Sequence, residues 1–544
     1  MKNNNYFRPL LLLAIALSAL FIGIKLGRIS DARIHKSSDD GKVKLLAALN
    51  YISGYYVDPV STDELIETAI PAILQELDPH SVYIPASELQ SSNEQLEGNF
   101  DGIGVTFNMP NDTVVVINVE PSGPSDKAGV HPGDRIITVD GLCIAGNKVA
   151  QDSVMRLLRG KSGSKVNIDV KREGESNLLP INIVRDKISI KSVDAAYMIT
   201  PQTGYIRMTK FSKTTHSEFM SAVDKLHSEG MTGMILDLRD NSGGLLEQVF
   251  LITSEFFANK TLIVYTEGRA SKRNNMYSSG TGRCINDKLI VLIDEGSASA
   301  SEILAGAIQD NDRGLIIGRR SFGKGFVQQP VMLPDQSCIR LTIARYYTPA
   351  GRCIQRPYEQ GDNMSYYRDI VRRYDSGELE SADSIHQTDS TKFYTVGGRI
   401  VYGGGGITPD IFIPLDTVNN YMSMLRRKNL IYNHALAYSD KYRESLLNVK
   451  SFKDLDNLLF KHNPVNGFTG YVLSKGVVGE PKEIAEAQKW IINSLKAYIG
   501  KTTELGENAV SYYLNLIDNT VKKALENINN NWRDNEIFIN DITD

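Results

Sequence analysis

The segment Asp294-Glu295-Gly296-Ser297-Ala298-Ser299-Ala300-Ser301-Glu302-Ile303 sets three serines among small residues, directly after the apolar run Leu289 to Ile293 and before a helical pattern. A serine at such a strand-to-helix turn can present its hydroxyl beside backbone N–H groups and the positive end of a helix. Serine is a weak nucleophile until a base takes its proton, and histidine is the usual base. No histidine occurs from Thr232 to Gly351, although one from elsewhere in the fold stays open. Lys324, in Ser321-Phe322-Gly323-Lys324-Gly325-Phe326-Val327-Gln328, is the alternative. It can act as a base only if burial lowers its pKa by several units from about 10.4, and Phe322, Phe326 and Val327 supply an apolar setting. Chemistry alone does not choose among Ser297, Ser299 and Ser301. Ser299 with Glu302 also fits the S-x-x-E capping box, a structural role compatible with catalysis.

Such residues need a scaffold to hold them. From Gly204 onward apolar runs alternate with helical spacing: strands at Tyr205 to Met208, Gly233 to Leu238, Leu262 to Thr266, Leu289 to Ile293 and Gly314 to Gly318, and helices at Ser217 to His227, Leu245 to Phe257 and Ser301 to Gln309. This alternation predicts an α/β core. Arg340 to Tyr347, with a turn at Pro349-Ala350-Gly351, predicts a β-hairpin. Upstream, strand-like runs at Ile103 to Phe107, Thr113 to Val119, Arg135 to Val139 and Lys165 to Lys171 predict a small β-rich module over residues 96–186. Its glycine loop Phe100-Asp101-Gly102-Ile103-Gly104-Val105 and its segment Ala128-Gly129-Val130-His131-Pro132-Gly133-Asp134-Arg135 together resemble a PDZ domain. In that reading the loop receives a terminal carboxylate, and a bound tail adds a strand beside the helix Val149 to Leu158.

The chain has 544 residues, room for roughly three to four domains. Its 60 basic and 64 acidic residues give a net charge of −4 with no long basic run, which argues against nucleic acid as a partner. Cys143, Cys284, Cys338 and Cys353 show neither CxxC nor Cys/His spacing, so they read as free, buried thiols without a metal. Lys2 and Arg8 precede the apolar run Leu10 to Ile24, shorter than a span of roughly 20 residues. No small-residue cleavage site follows, and Lys25 can snorkel, so an uncleaved membrane anchor is expected ahead of a cleaved signal or a buried helix. Helical spacing from Leu45 to Leu77 predicts a hairpin that packs on the neighbouring domain or makes a dimer contact. His80, after a helix-stopping proline, reads as a structural hydrogen-bonding residue rather than a base. Residues 356–400 are polar and aperiodic and read as a long, mobile surface insertion. Beyond Pro414 the spacing is helical, with no nameable chemistry.

The serine and lysine segments together resemble the signature of the C-terminal processing peptidases, or tail-specific proteases, of serine peptidase family S41. Leu77-Asp78-Pro79-His80-Ser81, the PDZ-like module, Asp237-Leu238-Arg239-Asp240-Asn241-Ser242-Gly243-Gly244, Tyr347-Thr348-Pro349-Ala350-Gly351-Arg352 and Gly406-Ile407-Thr408-Pro409-Asp410 follow in that family's order, over residues 40–414. The resemblance implies Ser299 as nucleophile, Lys324 as general base and Gln328, one helical turn beyond, as the residue holding the amine. It implies an oxyanion hole from N–H groups of Ala300 and of the Gly243-Gly244 turn. It also implies a tail-binding loop at Gly102, Ile103, Gly104 and Val105, with Arg159 relaying tail occupancy to the core.

The fold so implied is an α/β core of the crotonase/ClpP type with an inserted PDZ domain, an N-terminal helical segment and a C-terminal helical extension, with no cofactor and no metal. The expected layout is a signal anchor or signal peptide at 1–28, a helical region at 29–95, the PDZ domain at 96–186, the peptidase core at 187–414 and the extension at 415–544. The expected protein is a Ser/Lys endopeptidase that cuts proteins recognised through exposed C-terminal tails. A single-pass anchor would hold it in the inner membrane, its peptidase in the periplasm, with a homodimer and an adaptor protein as further partners to consider. The competing reading is a catalytically inactive PDZ scaffold that assembles periplasmic complexes.

Overall fold

The structure, a computed structural model, describes residues 40–530 apart from 110–111, 281 and 387–388. The expected anchor, Leu10 to Ile24, lies outside the described residues. Among those described, no helix is long and apolar enough to cross a membrane. Residues 40–77 belong to one unit, with helices Asp40–Tyr55 and Thr62–Gln75. The Ser61 side chain caps the second of them by accepting the Glu64 N–H, while the first has no buried residue.

In the second unit, from Asp78 on, a six-stranded sheet runs in the order Val193–Met198, Thr203–Met208, Gly233–Asp237, Lys288–Ile293, Leu315–Gly318 and Ile411–Phe412. The first pair is antiparallel and the rest are parallel. Leu289, Val291 and Ile293 pack in one cluster with helices Thr215–Ser228, Leu246–Ser254 and Ala300–Asp310. Ile290 and Leu292 pack in another with Val521, Ala524 and Ile528 of the helix Asn519–Asn529. Both faces are therefore covered, which is why this strand is an unbroken apolar run rather than an alternating one. The C-terminal helices thus complete the core.

A second sheet pairs Val82–Ile84 and Leu262–Glu267 with the long strand Cys338–Tyr347, and Asn274–Tyr277 with Leu262–Glu267. The hairpin is not where it was expected. Phe326–Met332 pairs with Cys338–Tyr347, whereas the Pro349 turn closes only one bridge, Tyr347 to Cys353. Gln328, Gln329 and Pro330 break the apolar pattern that would have marked the first strand. All four cysteines are free, but only Cys284 and Cys338 are buried; Cys143 is exposed and Cys353 half-buried.

The β-rich module is an antiparallel sheet ordered Val105–Asn108, Val114–Val119, Arg135–Val139, Lys165–Lys171 and Leu179–Val184. Helix Gln151–Leu158 buries Val154 and Leu158 against it. Entry and exit strands Asn99–Gly102 and Asp186–Ser189 pair with each other, so the chain passes into and out of the module through one two-stranded stalk. Elsewhere the C-terminal helices grip it. Arg443 donates to the Pro132 carbonyl, and Arg443 and Arg135 share Asp440. A Cβ on Gly133, at φ +88°, would fall on the Arg443 guanidinium and displace it.

The described residues of 356–400 are folded, not a mobile insertion. They contain the helix Asn363–Asp375 and a strand, Lys392–Tyr394, paired with Ile400–Tyr402. Arg356, Tyr366, Arg373 and Glu378 are buried. Glu378 accepts from both Arg320 and Arg373, and Arg373 also donates to the carbonyls of Arg320 and Ser321, so the segment braces the approach to Lys324. The helix escapes a periodicity reading because its pattern is inverted: Tyr366 and Arg373 face inward, while Met364, Tyr367, Val371 and Tyr374 are exposed.

Candidate active site

The strand Lys288–Ile293 delivers the serine turn, and the structure separates three serines that sequence leaves equivalent. The Ser297 hydroxyl donates to the Leu238 carbonyl at 2.8 Å and receives the Asp294 N–H at 3.0 Å. The Ser301 hydroxyl donates to the Asn241 carbonyl at 2.8 Å. Both are fully buried. Ser299 is half-buried with φ +53°, a strained conformation of the kind that collects at functional sites. Among the described residues its hydroxyl bonds to no group outside its own capping box with Glu302.

Glu302 does more than cap. One of its oxygens accepts the N–H groups of Ser299 and Lys324, at 2.8 and 2.9 Å. The other accepts the Gly323 N–H at 2.7 Å and the Ser321 hydroxyl at 2.5 Å. A single buried carboxylate therefore ties the serine turn to the lysine loop. Burial pushes its pKa up to about 7, against the pull of these four donors. The Tyr346 hydroxyl adds a second tie, lying at the carbonyls of both Ser299 (3.0 Å) and Lys324. From sequence Glu302 reads as a cap only. The available signal was its place in an otherwise small and apolar helix start, where a carboxylate must find donors.

Lys324 Nζ donates to Gln328 Oε1 at 3.0 Å. Among the described residues no carboxylate lies within ion-pair distance of it. Burial, and then the neighbouring Arg340, hold its pKa below the usual lysine value, with Glu302 and Asp78 opposing more weakly. Gln328 is not one helical turn beyond: Phe326–Met332 is a strand with an irregular register at Val327 and Gln328. Lys324, two residues ahead of that strand, still reaches Gln328 within it.

Gln328 Nε2 in turn donates to the His80 carbonyl. The His80 ring stands edge-on to Phe326 and Tyr366, and its Nε2 lies 2.9 Å from the Tyr366 hydroxyl. Burial first, then Lys324, push the imidazole pKa down to about 3. With the unfolded value near 6.5, the stability that neutral His80 confers is complete above pH 6.5 and is lost as pH falls toward 3. Chemical denaturation of His80→Asn should therefore show a shallower loss of stability between pH 7 and 4 than the wild type, and parallel curves would refute this.

The loop Asp240 to Gly244 packs under the serine. A Cβ on Gly243, which has φ +100°, would lie 2.8 Å from Ser299 Cβ and 2.9 Å from Ala300 N, so only glycine fits. Its N–H, however, donates to Asn241 Oδ1 at 2.9 Å. Of the two N–H groups expected from this turn for an oxyanion, only that of Gly244 is left beside Ala300.

In the β-rich module the carbonyls of Ile103 and Gly104 accept from the N–H groups of Ser125 and Glu120. Gly102 ends the stalk strand and Val105 begins the sheet's edge strand. Arg159 lies outside the loop, paired with Glu94 Oε2 at 2.7 Å and 4.6 Å above the Phe100 ring. Among the described residues no cluster of side chains suited to a metal occurs.

A strained serine at a helix start, a half-buried lysine without an acidic partner and a preceding β-module with a glycine-containing loop are the parts of a serine peptidase that carries a PDZ domain. Residues 202–362 match the model of peptidase family S41, residues 102–183 that of the PDZ domain, and residues 421–503 a family of unknown function. The chain is similar to a carboxy-terminal-processing protease of Bartonella bacilliformis, at 39% identity over 55% of this chain and 69% of that one. It is also similar to the carboxy-terminal processing protease CtpA of Bacillus subtilis, at 32% identity over 70% of this chain and 83% of that one. A solved photosystem II D1 C-terminal processing protease aligns over 58% of this chain and 90% of its own length, at 30% identity and a TM-score of 0.33. The chain belongs to serine peptidase family S41.

Proposed function

We propose that this protein is a serine endopeptidase that selects proteins by their C-terminal tails and cuts them with a Ser299/Lys324 dyad. The observation that carries the reading is the Lys324 amine, half-buried, with its pKa lowered and held by an amide rather than by an acid. A neutral amine takes the Ser299 proton as the hydroxyl oxygen attacks the scissile carbonyl. The N–H groups of Ala300 and Gly244 stabilise the tetrahedral oxyanion, and the lysine ammonium returns the proton to the leaving amine. Water, deprotonated by the same amine, then releases the acyl group. Gln328 orients Nζ throughout. The inactive-scaffold alternative gives no reason for an amine so stripped of counter-charge.

In this reading Gly102 to Val105 receive the tail carboxylate. Arg159 relays occupancy through Glu94, whose helix also supplies Ser92 and Asn93 to Arg340, the cation that acts on Lys324. The core is of the crotonase/ClpP type, and Leu10 to Ile24 anchor the protein in the inner membrane with the peptidase in the periplasm. A homodimer contact is supported by the exposed Val43, Leu46 and Tyr51. The test is an unfolded reporter protein with an apolar tail, presented with a free or an amidated C-terminus. Amidation should slow cleavage about tenfold or more, the worth of a charge-assisted hydrogen-bond set. Equal rates would remove tail recognition.

A further inference from the structure

Tyr366 enters the site from the helix Asn363–Asp375, just beyond the residues that match the S41 model. Its ring is buried, edge-on to His80 at 5.1 Å, with the Arg356 guanidinium 3.9 Å over its face. The direction of its hydroxyl follows from its partners. Gly325 N–H donates to Gln355 Oε1 at 2.8 Å, so the Gln355 amide turns Nε2 toward the Tyr366 oxygen at 3.3 Å. A hydroxyl that accepts there has its own proton free for His80 Nε2 at 2.9 Å, and the imidazole accepts it. His80 is thus pinned through its ring, and its backbone carbonyl accepts from Gln328 Nε2. An amide with its nitrogen so engaged can offer Lys324 only Oε1, an acceptor. It holds one N–H of the amine and leaves the lone pair for Ser299.

We propose that Tyr366 is a positioning residue, which fixes His80 and, through the His80 carbonyl, locks Gln328 in the orientation that presents the Lys324 amine to Ser299. This rests on Lys324 being the base. The residues that touch the amine belong to the shared peptidase core, but the group that fixes them comes from the 363–375 helix, so the insertion acts on the chemistry as well as on packing.

The test uses the full chain carrying Tyr366→Phe, which keeps the ring and its contacts, Gln328→Ala, and both together. Tyr366→Phe should lower kcat about tenfold, the worth of one hydrogen bond in a network, with KM and the unfolding midpoint near wild type. Added to Gln328→Ala it should cost nothing further, because both substitutions break one chain. Wild-type kcat in Tyr366→Phe, losses that multiply in the double variant, or a midpoint that falls with the rate would each overturn the inference. Lys324→Ala in the same assay separates the two levels. If it stays active, the base assignment falls and the inference with it; if it is dead while Tyr366→Phe is wild type, only the inference falls.

Discussion

Lys324→Ala is expected to lower kcat by on the order of 10⁴ or more, with Ser299→Ala as severe and the double variant no worse than either. The non-additivity matters as much as the size. A nucleophile and its base act in one step, so once one is gone the other has nothing left to contribute. Independent roles, such as a cap at Ser299 and a surface charge at Lys324, would give small losses that add. Neither variant should unfold the protein, because the backbone N–H groups that Glu302 holds remain in both. The wild-type rate should also carry an acid limb. Lys324 must be neutral to act, and its pKa lies below the ordinary lysine value. Activity is therefore full above that lowered pKa and falls as pH drops through it. A single-turnover rate flat down to pH 5 would exclude lysine as the base.

How much of this is legible in sequence differs by kind of residue. The parallel strands and their helices declare themselves because both faces of the sheet are covered, leaving runs such as Leu289 to Ile293 with no polar member. Ser299 and Lys324 can be found as a pair, but not chosen from physics alone. What distinguishes Ser299 is a positive φ and the engagement of Ser297 and Ser301 by distant carbonyls, and neither has a local signature. The turn expected to serve the oxyanion is visible as two glycines, yet the commitment of the Gly243 N–H to Asn241 is a matter of loop conformation. The segment 356–400 is the clearest failure. Most of its buried residues, Arg356, Tyr366, Arg373, Glu378, Thr395 and Arg399 against the single Leu379, are charged or polar, so hydrophobic periodicity reports the wrong face.

Glu302 offers the second large effect. Glu302→Ala should remove the common acceptor of Ser299 N, Lys324 N, Gly323 N and the Ser321 hydroxyl, leaving several buried donors unpaired at about 1–3 kcal/mol each. Both the unfolding midpoint and kcat should collapse. Glu302→Gln is the sharper experiment. Its one carbonyl oxygen can still bridge Ser299 N and Lys324 N if the amide nitrogen turns toward Ser321 and Gly323. Ser321 can rotate to accept, but Gly323 cannot, so one donor is orphaned and a loss of roughly 10- to 100-fold in kcat is expected.

The same variant divides the pH dependence. Glu302 has its folded pKa raised from 4.5 to about 7. Its protonated form therefore favours the folded state below about pH 4.5, and that contribution is lost as pH rises through 7. Glutamine cannot titrate, so the fall in stability from pH 4.5 to 7 that belongs to Glu302 should vanish in Glu302→Gln. The acid limb of the rate should remain, because it belongs to the amine of Lys324. If the limb disappears with the carboxylate, then Glu302 is the group whose protonation stops the enzyme, by loosening the link between the serine turn and the lysine loop.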